Sequence, residues 1–171
     1  GRILLGIGVG WLEEEFNAIG TPFGDRGRRT DEYVAAMREL WSSDSPTFDG
    51  EFVHFKNAHC RPQPSGGAVP VIVGGHSKAA ARRAGRLGDG FFPARGASAE
   101  LFDLAENGRD PADIELTASL PDDLDQIPEM AKLGVSRLLV PVTPMMGLDN
   151  TIRNVADIPR WREILDKYAD I

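Results

Sequence analysis

Residues 69–92 read VPVIVGGHSKAAARRAGRLGDGFF, and this stretch limits the fold more than any other. A β-branched run ends at Gly74 and Gly75, Ser77 follows as a potential helix cap, an alanine- and arginine-rich segment runs to Gly88, and a second short apolar run begins at once. Two strand-length runs separated by one helix-length segment make a βαβ unit, which requires parallel strands and a right-handed crossover.

The alternation extends along the chain. Ile3 to Val9 is apolar apart from glycine, the pattern of a strand buried on both faces. WLEEEFNAIG reads as a short helix ending at Gly20. Thr30 is placed to cap a helix with Asp31 and Glu32 in its first turn, and Tyr33, Val34, Met37, Leu40 and Trp41 then recur on one face. Phe48, Phe52 and Phe55 around Asp49-Gly50 suggest a hairpin. Further on, GFFPA, IELTASL and VSRLLVPV read as strands, and SAELFDLAENG and DDLDQIPEMAKLG as helices, the latter despite Pro128. A last helix is expected near Pro159, with Trp161, Ile164, Leu165 and Tyr168 along one side. The expectation is α/β: five core strands in a parallel sheet covered on both faces, in a single domain spanning residues 1–171. A complete eight-stranded barrel takes about 250 residues, so 171 residues supply only its later part, whereas an open doubly wound sheet fits the length.

Composition narrows the function. A net charge of −7 opposes a broad nucleic-acid surface, which needs an excess of Lys and Arg. The single cysteine, Cys60, rules out an intrachain disulfide framework and is expected to be a small buried hydrophobe in a reducing compartment. Without a charged leader before an apolar core or an apolar run of about 18 residues, the expected setting is cytoplasmic, with no membrane. His54, His59 and His76 lack metal-ligand spacing, so no metal is expected, and no serine sits in G-x-S-x-G.

The glycine pair carries the chemistry. A strand that stops at Gly74 and Gly75 just before a helix capped by Ser77 points unpaired N–H groups outward from one spot, where the helix dipole favours an anion and bare glycines admit a phosphate. The alternative is a tight βα turn in which the glycines serve geometry alone. Lys78 lies near this spot, and so does His76, for which a structural role is equally open. The second cluster, Gly6, Gly8, Gly10 and Trp11, has G-x-G-x-G spacing and lacks the second strand with a terminal acid that a dinucleotide fold needs; glycines at a strand end make room for a flat ring or another backbone. Arg26, Arg28 and Arg29 are placed either to meet an acidic ligand tail or to stand in a solvated loop.

At these residues the chain resembles the bacterial luciferase-like superfamily, in particular its deazaflavin-dependent branch. The stretches that carry the resemblance are LLGIGVGWLEEEFNAIGTPFGDRGRRTDEYVAAMRELW, FVHFKNAHCRPQP, VPVIVGGHSKAAARRAGRLGDGFFP and LGVSRLLVPV. The resemblance implies a (β/α)₈ TIM barrel, here a partial barrel from about the fourth strand onward, with coenzyme F420, or alternatively FMN, at the carboxyl ends of the strands. It implies that Gly74, Gly75, His76 and Ser77 receive the cofactor phosphate and that Gly10 and Trp11 lie near the cofactor or substrate. The implied chemistry is hydride transfer between the deazaflavin and a small-molecule substrate. The alternatives are an FMN-dependent monooxygenase and a non-catalytic phosphate-ligand-binding fragment. Since the first three family strands fall outside the resemblance, no catalytic acid or base is nominated; the expectation is either a partial chain of a longer protein or a truncated homologue, with a homo-oligomer or a partner chain then completing the barrel.

Overall fold

The computed structural model describes residues 2–93, 95–96, 98–140 and 154–168. In chain order its elements are β1 (Leu5–Ile7), α1 (Glu13–Ala18), α2 (Arg26–Ser42), β2 (Phe48–Asp49), β3 (His54–Phe55), β4 (Val71–Gly74), α3 (Lys78–Leu87), β5 (Gly90–Phe92), α4 (Ala99–Glu106), β6 (Glu115–Ser119), α5 (Ile127–Lys132), β7 (Val135–Leu139) and α6 (Ile158–Lys167). The main sheet has the order β1-β4-β5-β6-β7, parallel throughout. The expected hairpin is present as the antiparallel pair β2 and β3, with the Phe48 and Phe55 rings stacked at 5.9 Å.

The sheet has two unlike faces. Val71 and Val73 of β4, Phe91 of β5 and Leu116 of β6 pack with Val34 of α2, Ala80, Ala81 and Ala84 of α3, and Leu101, Phe102 and Ala105 of α4. Phe91 and Phe102 meet edge to face at 6.4 Å and are almost fully buried, and burying a ring of this size contributes about 1.5–3 kcal/mol. A second cluster joins Leu120 and Ile127 to Leu138 and Tyr168, on the same side as the first by strand alternation. The opposite face carries Gly6, Ile72, Gly74, Gly90, Glu115, Thr117 and Arg137. There Arg137 pairs with Glu115 at 2.8 Å, and Glu115 accepts from the Thr117 hydroxyl at 3.1 Å. Gly90 permits this crowding, since a Cβ there would stand 2.5 Å from Ile72 Cδ1. The expectation of helices on both faces is therefore corrected: among the described residues the packed helices lie on one side, and a face built of glycines and an ion pair offers a helix nothing to pack against.

Two local expectations also change. The first strand is shorter than Ile3 to Val9 and forms an edge of the sheet, with Ile3 70% exposed. Thr30 does not cap α2, because the helix already starts at Arg26, and the Thr30 hydroxyl donates to the Arg26 carbonyl at 2.8 Å. The first turn is closed instead by Arg29, whose guanidinium donates to the Asp25 carboxylate at 2.7 Å; this bond, with a second that Arg29 donates to the Tyr33 hydroxyl oxygen, raises the arginine pKa. Tyr33 is exposed rather than part of the packed face, and Cys60 is half-buried rather than buried. Asp31 and Glu32 serve as lateral ties. Asp31 accepts from Arg83 and, at 2.6 Å, from Arg86 on α3, while Glu32 accepts the N–H groups of Glu51, Phe52 and Val53 at 2.6–2.8 Å.

The remaining elements follow the reading. Ser77 and Ser98 cap α3 and α4 by accepting from Ala80 N–H and Leu101 N–H. Pro128 stands in the first turn of α5, where its missing N–H costs nothing. Helix α6 begins at Ile158 beside Pro159; the side chains of Trp161, Ile164 and Leu165, and residues 141–142 of the last expected strand, lie outside the described residues.

Candidate functional site at the carboxyl ends of β1 and β4

Because β1 and β4 are parallel neighbours in register, with Ile7 opposite Val73, the loops that leave them emerge on the same edge of the sheet. This topology brings the two glycine clusters together. In α/β folds that edge is where ligands bind, since the βα loops and helix starts converge there.

The loop after β4 is shaped by its glycines. Gly74 ends the strand, and a Cβ there would lie 3.2 Å from the Ile7 carbonyl oxygen. Gly75 has φ +135°, and a Cβ would stand 2.8 Å from that of Ala80, so this position is closed to other residues on two counts. The Gly75 N–H donates to the Phe92 carbonyl at 3.2 Å. Four groups remain: among the described residues no acceptor meets the N–H of His76, Ser77, Lys78 or Ala79. They form the open start of a ten-residue helix, where the dipole places about half a positive charge. The Ser77 hydroxyl accepts from Ala80 N–H at 3.2 Å and keeps its own proton to donate. Lys78, read as lying near an anion, pairs with Glu100 of α4 at 2.5 Å. His76 is exposed.

The loop after β1 is held differently. Gly10 has φ +82°, and the Phe16 ring fills the space a Cβ would need, at 2.6 Å. Phe16 meets Phe23 edge to face at 5.2 Å. The Arg26 guanidinium lies over the Phe23 ring at 3.6 Å and donates to the carbonyls of Gly10 at 3.2 Å and Phe23 at 2.9 Å. Trp11, the next residue, is 82% exposed. Of the three arginines read as possible contacts for an acidic tail, Arg28 is engaged by Glu51 at 2.6 Å and Arg29 by Asp25. The Arg26 to Gly10 bond joins residues sixteen apart, and no sequence spacing announces it.

Other chemistry is absent among the described residues. No group of three His, Cys, Asp or Glu side chains is placed to hold a metal, and no helix is long and apolar enough to cross a membrane. His54 pairs with Asp49 at 2.9 Å within the β2–β3 ribbon. An open recess of about 590 Å³ lies toward the amino ends of the strands, between Leu4, Pro70 and Arg137, away from the two loops.

Comparison with known proteins gives the family and the fold. The family model of the luciferase-like monooxygenases matches residues 1–139. The chain is 36% identical over 158 residues to an F420-dependent glucose-6-phosphate dehydrogenase of Mycobacterium avium (strain 104), covering 88% of this chain and 44% of that protein. Over 95 residues it is 39% identical to an FMNH(2)-dependent dimethylsulfone monooxygenase of Pseudomonas fluorescens (strain Pf0-1), covering 54% of this chain and 26% of that protein. Among solved structures, an F420-dependent secondary alcohol dehydrogenase in complex with an F420-acetone adduct superposes with a TM-score of 0.59 at 26% identity, over 78% of this chain and 45% of that one. The chain thus spans less than half the length of these relatives. It belongs to the luciferase-like monooxygenase family, and its five-stranded parallel sheet is part of that family's (β/α)₈ barrel.

Proposed function

We propose that the chain supplies the cofactor-phosphate region of an F420-dependent oxidoreductase that moves a hydride between the deazaflavin and a small organic substrate. The observation that carries this reading is the row of N–H groups from His76 to Ala79, without acceptors among the described residues, beside a glycine loop that presents an exposed indole.

The residues fit a phosphate-bearing cofactor. An anion gains from N–H donors at a helix start and from a backbone it can approach closely; the side-chain-free Gly74 and Gly75 give that approach, and the Ser77 hydroxyl adds a donor. Gly6 and Gly8, where a Cβ would meet nothing within 4 Å, leave free space along β1 for a flat ring. Trp11 offers that ring an aromatic face. When bound, the cofactor supplies the hydride chemistry. The tasks of this chain's residues are to hold the phosphate, orient the ring and screen one side of it.

The identity to the F420-dependent dehydrogenases, which extends over most of this chain, favours the deazaflavin. The shorter match to an FMNH(2)-dependent monooxygenase supports FMN as the second reading. Titration of the full chain with F420 and with FMN, followed by absorbance and fluorescence, tests both. The proposal expects saturable F420 binding, weakened by inorganic phosphate and tighter than FMN binding. FMN binding without F420 binding would establish the second reading, binding of either without turnover on any substrate would indicate a phosphate-ligand module, and binding of neither would refute the proposal.

A further inference from the structure

We infer that Arg26 is a positioning residue, which locks the Gly10–Trp11 loop so that the indole is held toward the bound ring, and that it works through the geometry of its guanidinium rather than through its charge. This rests on the cofactor reading above.

Three contacts on one side chain support it. The guanidinium donates to the Gly10 carbonyl at 3.2 Å and to the Phe23 carbonyl at 2.9 Å, and its Cζ lies 3.6 Å from the Phe23 ring centroid. One rigid fork therefore ties the loop after β1 to the turn that opens α2. The loop needs such a tie. Gly10, at φ +82°, sits at a point where a glycine backbone has many conformations open to it, and Trp11, 82% exposed, has little packing of its own to restrain it. Phe16 closes the other side of Gly10 and leans edge-on against Phe23, so the ring under Arg26 also supports the ring under Gly10. Releasing Arg26 frees the carbonyl and removes the cation from the aromatic pair at the same time.

Charge is the competing account. Arg28 and Arg29 are paired with Glu51 and Asp25, whereas among the described residues Arg26 has no carboxylate partner, so it also stands as a cation beside the site. Lysine separates the two roles, because an ammonium keeps the charge and cannot reproduce a planar fork that bridges two carbonyls while stacking on a ring.

The test compares the full-length wild-type chain with Arg26→Ala and Arg26→Lys by amide hydrogen exchange without ligand, by affinity for F420 and for inorganic phosphate, and by melting temperature. Both variants are expected to speed exchange at Gly10, Trp11 and Leu12 and to weaken F420 binding by about ten-fold, the loss of one charge-assisted hydrogen bond. Phosphate affinity and protection in α3 are expected to stay unchanged, a separation that general loss of structure would not produce. Full F420 affinity in Arg26→Lys would overturn the inference in favour of charge. Equal weakening of phosphate and F420, or unchanged exchange in both variants, would overturn it as well. A wild-type chain that binds phosphate but not F420 would instead refute the cofactor reading; faster loop exchange in both variants would still support the lock, and unchanged exchange would remove it.

Discussion

The N–H of Gly75 donates to the carbonyl of Phe92 at 3.2 Å, tying the turn after β4 to the end of β5. The bond removes Gly75 from the donors available to an anion and moves the cradle one residue along, to His76 through Ala79. It also fixes Gly75 at φ +135°, against Ala80. Gly75→Ala is expected to cost about 1–3 kcal/mol of stability, the range for a residue held in a disfavoured backbone region. Gly6→Ala, where the new methyl meets nothing within 4 Å and φ is not positive, is expected to be neutral or to stabilise by up to about 1 kcal/mol. Urea unfolding of the two variants checks the contrast.

Ser77 has two tasks, capping α3 and lending a hydroxyl donor to the anion. Ser77→Ala is expected to lower stability by about 0.5–2 kcal/mol, and Ser77→Gly by only a few tenths. Both remove the hydroxyl and should weaken phosphate binding alike. Calorimetric titration with phosphate, set beside denaturation curves, shows whether affinity and stability separate in this way.

Asp31 joins α2 to α3 through two arginines of unequal burial. The Arg83 side chain is 12% exposed and that of Arg86 is 52% exposed. Arg86→Ala is expected to change stability by less than about 1 kcal/mol, as for an exposed ion pair. Asp31→Ala, which strips a largely buried guanidinium of its acceptor, should cost about 1–3 kcal/mol. Chemical denaturation of the two variants distinguishes the buried contact from the exposed one.

Glu32 ties the β2–β3 ribbon to α2. Burial opposes its ionisation, but the N–H groups of Phe52, Val53 and Glu51 outweigh that and lower its pKa below the ordinary 4.5. A carboxylate with a lowered folded-state pKa contributes stability that is fully present above the unfolded value and is lost as pH falls through the folded one. Acid should therefore release the ribbon from about pH 4.5 downward. Glu32→Gln is expected to flatten the acid limb of stability against pH and to speed amide exchange at Phe52 and Val53. Melting curves from pH 3 to 7 check this.

Much of the fold is legible because it depends on local signals. The β-branched run at Val71 to Val73, the cap at Ser77, the stop at Gly88 and the proline in the first turn of α5 each act within a few residues, so the element order can be read directly. What is not legible depends on contacts distant in sequence. Thr30 looks like a cap because Asp31 and Glu32 follow it, yet those carboxylates are committed sideways, to Arg83 and Arg86 and to the ribbon amides. The one-sided sheet is hidden for a similar reason: a run such as Ile3 to Val9 has the same composition whether its far face meets a helix or the glycine-lined side of a curved sheet. At the site, the glycines mark the place, but nothing in the spacing shows that Gly75 gives its N–H to Phe92 or that Arg26 grips Gly10. The first bond exists only once β4 and β5 lie side by side, and the second only once the start of α2 folds back onto the loop after β1.

The central claim is that the amides opening α3 receive the cofactor's phosphate, and backbone amide resonances of the isotopically labelled chain during titration with F420 test it most directly. The account predicts that His76, Ser77, Lys78 and Ala79 shift in a saturable way, that inorganic phosphate alone shifts the same four, and that the Gly75 amide, already bonded, moves least. Saturable F420 binding that leaves these four resonances in place would contradict it.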